Sequence, residues 1–335
     1  MTLILSVTDV ERILSAPGGR LFEALTDSIE AGYREVADGL VRQHPRIYLR
    51  YPEDGARRPP GLFSMSALLP GAGVMGTRLL ALTGQGGGGD GLLLLFDHRT
   101  ARCLAILDDA LLHGYRSGAP AAVATRYLAR PDSRVVACLG SSGIARGGLT
   151  MVCHALPAVQ AIRVYSPTEA HRVRFAAEMG RALGLDARAV GSAEEAVAEA
   201  DVIVTATDAD RPVVQDQAIR EGTHINLLAR NEIEMATFRR STIVTTSNAH
   251  LRELDPPWRE PIPEDWIRGE LADVVVGRGP TRTSAREITV FVGVAPGAMW
   301  DVATAATVYE AALRLGCGTE VEIAARNSIV DQTRA

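Results

Sequence analysis

A short apolar run opens the chain, and from Gly19 to Leu40 apolar residues recur at helical spacing; the pattern predicts a strand followed by a helix. Four apolar stretches come next, "PRIYLRYP", "GLFSMSALL", "GTRLLALT" and "GLLLLFDHRT". The turn-forming segments "PEDG", "PGAG" and "GQGGGGDG" separate them, so they read as successive strands, and "ARCLAIL" adds another. The glycine run Gly86–Gly89 reads as a hairpin loop, because it lacks the lysine and the following helix of a phosphate-binding loop. The first third is therefore expected to be a sheet covered by a helix.

Between Leu112 and Ala129 the pattern turns helical, and afterwards it alternates. "RVVACLG", "AIRVYS", "ARAV", "DVIVTAT", "GTHINLLA", "STIVTTS" and "EITVFVGV" read as strands. Helices are predicted up to Leu156, up to Leu183, over "SAEEAVAEA" and over the closing "WDVATAATVYEAALRLG". Strands alternating with helices at this spacing predict β-α-β units and a parallel sheet.

Composition narrows the picture. With 335 residues, 47% hydrophobic and 22% charged, the chain has room for two domains with a substantial core. The net charge is −5 with both signs dispersed and no basic patch, so no nucleic-acid partner is expected. No run of 18 apolar residues and no basic-then-apolar leader occurs, so neither a membrane span nor a secretory signal is expected. Cys103, Cys138, Cys153 and Cys317 are scattered without a C-x-x-C pair. That speaks against a disulfide framework or a zinc site, leaves no metal in the reading, and fits a reducing cytoplasm.

The segment "SRVVACLGSSGIARGGL" is a strand, a glycine turn and a helix start. A dinucleotide-binding turn has the pattern G-x-G-x-x-G/A, met here by Gly140, Ser141, Ser142, Gly143, Ile144 and Ala145. Gly140 and Ala145 suit the tight turn and the close helix packing, while Ser142 stands where a second glycine lets the backbone approach the pyrophosphate. The helix N-terminus still offers N–H donors to an anion. An acid at the end of the next strand would bind the ribose hydroxyl of NAD. That strand ends instead in Ser166, Pro167 and Thr168, with Arg172 nearby, which leans the coenzyme from NAD towards NADP.

Four segments in order, "GLLLLFDHRTARCLAILDDALLHGYRSGAPAAVATRYLAR", "EEAVAEADVIVTATDADRPVV", "GTHINLLARNEIEM" and "REITVFVGVAPGAMWDVATAATVYEAA", resemble the ornithine cyclodeaminase/mu-crystallin family. The resemblance implies an α/β fold with a Rossmann-type doubly wound parallel sheet inserted into a second, α+β unit. That unit, residues 1–115 and 305–335, would bind substrate and dimerise; residues 116–304 would bind the dinucleotide. Family members use NAD or NADP on small amino, imino or keto acids, and pair their sheets as homodimers.

The resemblance also implies site residues. Arg46 and Arg116 match arginines that bind a substrate carboxylate, and a guanidinium suits that planar anion. Met65 matches a methionine of the family's M-P-A motif. Arg78 falls where the family has an active-site lysine and, keeping the positive charge, is expected to join Arg46 and Arg116 in a carboxylate clamp; Asn231 falls where the family has a catalytic aspartate. Thr205, Ala206 and Thr207, at the end of a strand, join the expected coenzyme contacts. Arginine cannot shuttle a proton near neutral pH, and asparagine cannot titrate. The expectation is therefore reduction of a ready-made imine or ketone, or oxidation of the amino acid, rather than cyclisation of ornithine; a ligand-binding protein of the crystallin type is the alternative. His113, where the family has a threonine, could supply the missing acid or base, since an ordinary imidazole titrates near neutrality. Asp301 matches an aspartate at the start of the last helix. Asp108 and Asp109, pointing to opposite faces, read as a turn.

Overall fold

The computed structural model describes residues 1–51, 60–83, 89–252, 260–294 and 297–323. The "PEDG" turn and Gly86–Gly88 of the glycine run lie outside the described residues. The chain starts with β1 (Thr2–Leu5), α1 (Val7–Leu14) and α2 (Arg20–Ala37). It continues through β2 (Arg42–Gln43), β3 (Ile47–Arg50), β4 (Gly61–Leu69), β5 (Val74–Leu82), β6 (Gly91–Asp97) and β7 (Cys103–Asp108). Next come α3 (Leu112–Leu128), β8 (Val135–Leu139), α4 (Gly143–Ala155), β9 (Ala161–Tyr165), α5 (Glu169–Leu183), β10 (Asp186–Ala189), α6 (Ala193–Val197) and β11 (Val202–Thr205). The last part holds β12 (His224–Leu227), α7 (Met235–Arg239), β13 (Ser241–Thr245), α8 (Asn248–Arg252) and β14 (Ile267–Glu270). It ends with α9 (Leu271–Val275), β15 (Ile288–Val292), α10 (Ala298–Leu315) and β16 (Thr319–Val321).

Two sheets result. The first runs β16-β1-β7-β6-β5-β4-β2, with β3 also paired to β4. Its strands β4 to β7 alternate in burial, as a sheet packed on one face does. Leu5, Leu69, Leu93, Leu95 and Leu107 point inward to a core shared with α2 and α10. The second sheet runs β10-β9-β8-β11-β12-β15-β13-β14 and every pairing in it is parallel. Its central strands β11, β12 and β15 are buried at every residue. That is the signature of a sheet covered on both faces.

Two helices set the geometry of the site. α10 lies on β4, β5 and β6 and against α2. Its Trp300 indole donates to the Tyr33 hydroxyl at 3.0 Å, fixing the helix start where Asp301 sits. α10 runs unbroken from Ala298 to Leu315, across the division expected at residue 305, and packs on the first sheet. α3 starts at Leu112 and is buried on nearly every side. It crosses α4 at glycines: a Cβ on Gly114 would sit 2.2 Å from the Gly143 carbonyl oxygen, and one on Gly118 2.7 Å from that of Gly147. Backbone thus meets backbone, and no larger residue fits this crossing. Among the described residues, no helix is long and apolar enough to cross a membrane, and no cluster of three metal-ligating side chains occurs.

Candidate active site

Three arginines and two aspartates converge at the first sheet. Arg78, on β5, sits directly across from Met65 on β4, and both are buried. Arg46 stands on the approach to β3 and turns back over this pair, with Nε 3.3 Å from the Met65 sulfur and Nη1 3.2 Å from the Tyr48 hydroxyl. Arg116, one turn into α3, is 3% exposed and reaches Asp301 with Nε 3.3 Å from Oδ1. Arg78 Nε lies 3.7 Å from the same oxygen. The strongest contact of Arg78 is with Asp109: Nε donates to Oδ2 at 2.8 Å and Nη2 donates to that same atom.

The electrostatics follow from this packing. Burial works against the Arg78 charge, but Asp301 and Asp109 outweigh it and hold its pKa above the ordinary value. Burial lowers Arg116 to about 10 against the pull of Asp301, which leaves it charged at neutral pH. Burial raises the Asp301 carboxyl against the opposing pull of Arg116 and Arg78. His113 is pushed down to about 2, first by Arg116, then by burial, Arg78 and Arg46. The expected acid role of His113 therefore fails in the free protein: three guanidiniums keep the ring neutral, and it can offer only a neutral hydrogen bond. Arg78 also differs from expectation, since its guanidinium is committed to Asp109 before any substrate arrives.

The nucleotide turn lies at the C-terminal ends of the parallel strands, where open α/β sheets bind ligands. Gly140 has φ of +120°, and a Cβ there would meet the Ala206 carbonyl oxygen at 2.4 Å, so only glycine fits. Ser142 is the N-cap of α4: its hydroxyl accepts from the Ala145 N–H at 3.2 Å and donates to the Ala206 carbonyl at 3.4 Å. The serine thus replaces a glycine by capping the helix and tying the turn to the strand end at Ala206. Ala145 is buried, Ile144 half-buried, and a Cβ on Gly143 would meet nothing within 4 Å. Open space in front of a capped helix N-terminus fits a pyrophosphate, with Ser141–Ala145 as the cradle. Ser141 donates to the Ser166 hydroxyl at 3.1 Å, linking the turn to the end of β9. Thr168 is exposed as the N-cap residue of α5, and Arg172 Nη1 donates to the Ser166 and Pro167 carbonyls at 3.2 Å. A cleft of about 380 Å³ opens beside Ser141, lined by Arg146, His171, Arg174, Phe175 and Glu178.

Other expected residues fall elsewhere. Asn231, with φ of +62°, lines a separate cleft of about 260 Å³ with Asp210, Arg211, Met235, Phe238 and Glu260. Among the described residues, no hydrogen bond or ion pair joins it to the arginine cluster. His224 sits at the start of β12, whereas the nucleotide turn faces strand ends. Burial lowers its ring to about 3, and Nδ1 pairs with the Thr289 hydroxyl at 2.9 Å.

Two acids escaped the sequence reading. Asp108 does form the expected turn, with Oδ1 accepting from the Ala110 N–H at 3.0 Å. Its neighbour Asp109 turns inward and is 2% exposed. The available signal was an arginine in a buried strand, which demands a counter-charge. Glu232 is fully buried beside the strand ends that face the nucleotide turn. Its carboxylate accepts from the Thr205 hydroxyl and from the N–H groups of Thr207 and Ala229. Burial raises it to about 7 against those hydrogen bonds. Thr205 and Thr207 are thus engaged with Glu232, while Ala206 supplies the carbonyl that Ser142 contacts.

Known proteins share this fold. The chain is 31% identical over 244 residues to a Delta(1)-pyrroline-2-carboxylate reductase of Bacillus cereus, covering 70% of this chain and 74% of the relative. The structure of Thermococcus litoralis Delta(1)-pyrroline-2-carboxylate reductase, in complex with NADH and L-proline, aligns with a TM-score of 0.83 at 30% identity, over 96% of this chain and all of that one. An archaeal alanine dehydrogenase dimer with bound NAD aligns with a TM-score of 0.79 at 25% identity, over 96% and 99% of the two chains. The model of the ornithine cyclodeaminase/mu-crystallin family matches residues 6–315, and the chain belongs to that family.

Proposed function

We propose that the protein is an NAD(P)H-dependent reductase of the C=N bond in a small imino carboxylic acid. One observation carries this reading: α3, which bears Arg116, touches α4 backbone to backbone at Gly114 and Gly143, the residue of the nucleotide turn at which α4 begins. A carboxylate anchor thus stands one helix crossing from the coenzyme cradle. The Bacillus and Thermococcus relatives, both named pyrroline-2-carboxylate reductases, support the same chemistry.

When bound, the dihydronicotinamide supplies a hydride. The chain's own residues do the rest. Arg116 and Arg46 take the carboxylate and hold the reactive carbon in one orientation, which replaces a costly collision with a fixed approach. Met65 and the inner face of β4 and β5 exclude water from that carbon. Neutral His113 lines the same region and can accept or donate one hydrogen bond without adding charge. Ornithine cyclisation is disfavoured, because Arg78 does not release its proton and Asn231 has none to exchange.

Three finer readings accompany it. NADPH is the coenzyme, because β9 ends without an acid and Arg146, His171 and Arg174 line the cleft beside Ser141. The protein is a homodimer joined through the outer face of the first sheet, where Leu62 and Leu92 are 41% and 43% exposed beside half-buried Leu94 and Phe96; the archaeal relative is a dimer. The first sheet with α10 binds substrate and dimerises, the second binds the dinucleotide, and four free cysteines fit a reducing cytoplasm.

The deciding experiment follows NADH or NADPH oxidation with Δ1-pyrroline-2-carboxylate and with open-chain 2-imino acids formed from keto acids and ammonia. Turnover with at least one imine is expected. Tight nucleotide binding without turnover of any of them would replace the reading with a ligand-binding role.

A further inference from the structure

We infer that Asp109 reads the nitrogen of the substrate: its Oδ1 accepts the N–H of an iminium or amino acid whose carboxylate lies against Arg116 and Arg46. This rests on the imine-reductase reading above and assigns to that site a residue the sequence did not mark.

The first argument is a count of charge. Arg46, Arg78 and Arg116 bring three positive charges to one cluster, whereas of its two carboxyls Asp109 is paired with Arg78 and Asp301 is raised by burial towards its neutral form. The cations therefore outnumber the anions, which favours a ligand carboxylate.

The second argument is a count of hydrogen bonds. Arg78 spends Nε and Nη2 on a single oxygen of Asp109. The other oxygen, Oδ1, is buried with no hydrogen-bond partner. Both oxygens of Asp301 and Nε of Arg116 are also without one, since the Arg116–Asp301 contact has ion-pair distance without hydrogen-bond alignment. Native proteins leave few such atoms unsatisfied, and those that remain call for a ligand or an ordered water. The surplus here is mostly acceptors, three carboxylate oxygens against one guanidinium nitrogen. A keto acid brings only further acceptors to this place. A protonated imine brings an N–H and a positive charge.

Position selects Asp109 over Asp301. Two guanidinium nitrogens already crowd Oδ1 of Asp301, at 3.3 and 3.7 Å, and burial raises its carboxyl towards the neutral form, which makes it the weaker acceptor. Asp109 has its single guanidinium on the far oxygen. Its backbone is pinned on both sides: its N–H donates to the Gly91 carbonyl at 3.0 Å, and its carbonyl accepts from the His113 N–H at 3.0 Å. Gly91 makes room for the side chain, since a Cβ there would fall 2.8 Å from Asp109 Oδ2. Arg78 therefore acts as a positioning residue, holding the carboxylate so that the buried Oδ1 is left without a hydrogen-bond partner.

The test compares two planar acids of nearly equal shape by calorimetry, with and without NADH. Pyrrole-2-carboxylate carries a ring N–H, and furan-2-carboxylate carries an oxygen in its place. Wild type is expected to bind the pyrrole acid at least tenfold more tightly. In Asp109→Asn, Arg78 claims the amide oxygen and turns the NH2 towards the ligand, donor against donor. The preference should then fall to about one, with furan-2-carboxylate held within about threefold of its wild-type affinity. Equal binding of the two acids to wild type overturns the inference, and so does a preference that survives in Asp109→Asn. The wild-type comparison decides even where the variant does not fold. Turnover of Δ1-pyrroline-2-carboxylate without any N–H preference removes only the Asp109 assignment. Failure of both acids to bind, together with absent turnover, removes the reductase reading with it.

Discussion

Arg78 gives two N–H groups to one oxygen of Asp109, across 31 residues of sequence, and both side chains are almost wholly buried. Removing one member leaves the other as an uncompensated buried charge, at a cost of about 3–5 kcal/mol. Arg78→Met should therefore destabilise the protein by that amount in urea unfolding. Arg78→Met combined with Asp109→Asn should recover much of the loss. A double-mutant cycle that shows simple additivity would mean the pair is not coupled.

Glu232 makes stability depend on pH. Its carboxyl lies at about 7 in the folded protein against an ordinary value of 4.5, because burial disfavours the anion. Between those values the folded state holds a proton that the unfolded chain has released. The contribution is complete below about pH 4.5 and is lost as pH rises through 7, on the order of 3 kcal/mol in all. Melting temperatures measured from pH 5 to 8 should fall more steeply for wild type than for Glu232→Gln.

His113 should not titrate in the accessible range, because Arg116 above all keeps its ring neutral. Imidazole proton shifts followed by NMR from pH 5 to 8 should stay flat for His113. In Arg116→Met the largest opposing charge is gone and the titration should move upward. A His113 titration near pH 6.5 in the wild-type free protein would contradict the proximity of the three arginines.

The turn residues separate by role. Gly140→Ala forces a Cβ against the Ala206 carbonyl at a positive φ. It should destabilise the protein by more than about 1 kcal/mol and abolish nucleotide quenching of protein fluorescence. Ser142→Ala removes the cap and the bond to the Ala206 carbonyl and should cost about 1 kcal/mol. Ser142→Gly, which keeps the turn open, should change nucleotide affinity by less than threefold.

Dimer formation can be read directly. An acid at Leu92, at the centre of the outer sheet face, should convert a light-scattering mass of two chains to that of one. A wild-type mass of one chain would remove the homodimer.

The alternation of strands and helices, the parallel second sheet and the glycine turn were all legible in the amino-acid order. Each rests on local rules: the period of apolar positions and the backbone freedom of Gly140. The short elements α1, α7, α9 and β16 were not legible, since three to eight residues hold too few periods to stand out. Nor was the working state of the site. Arg78 bound to Asp109, His113 stripped of its proton, and Glu232 lifted towards neutrality are all consequences of distance and burial. Coulomb energies and desolvation depend on separation in space and on the surrounding medium. Only folding brings β5, α3 and α10 together and sets both.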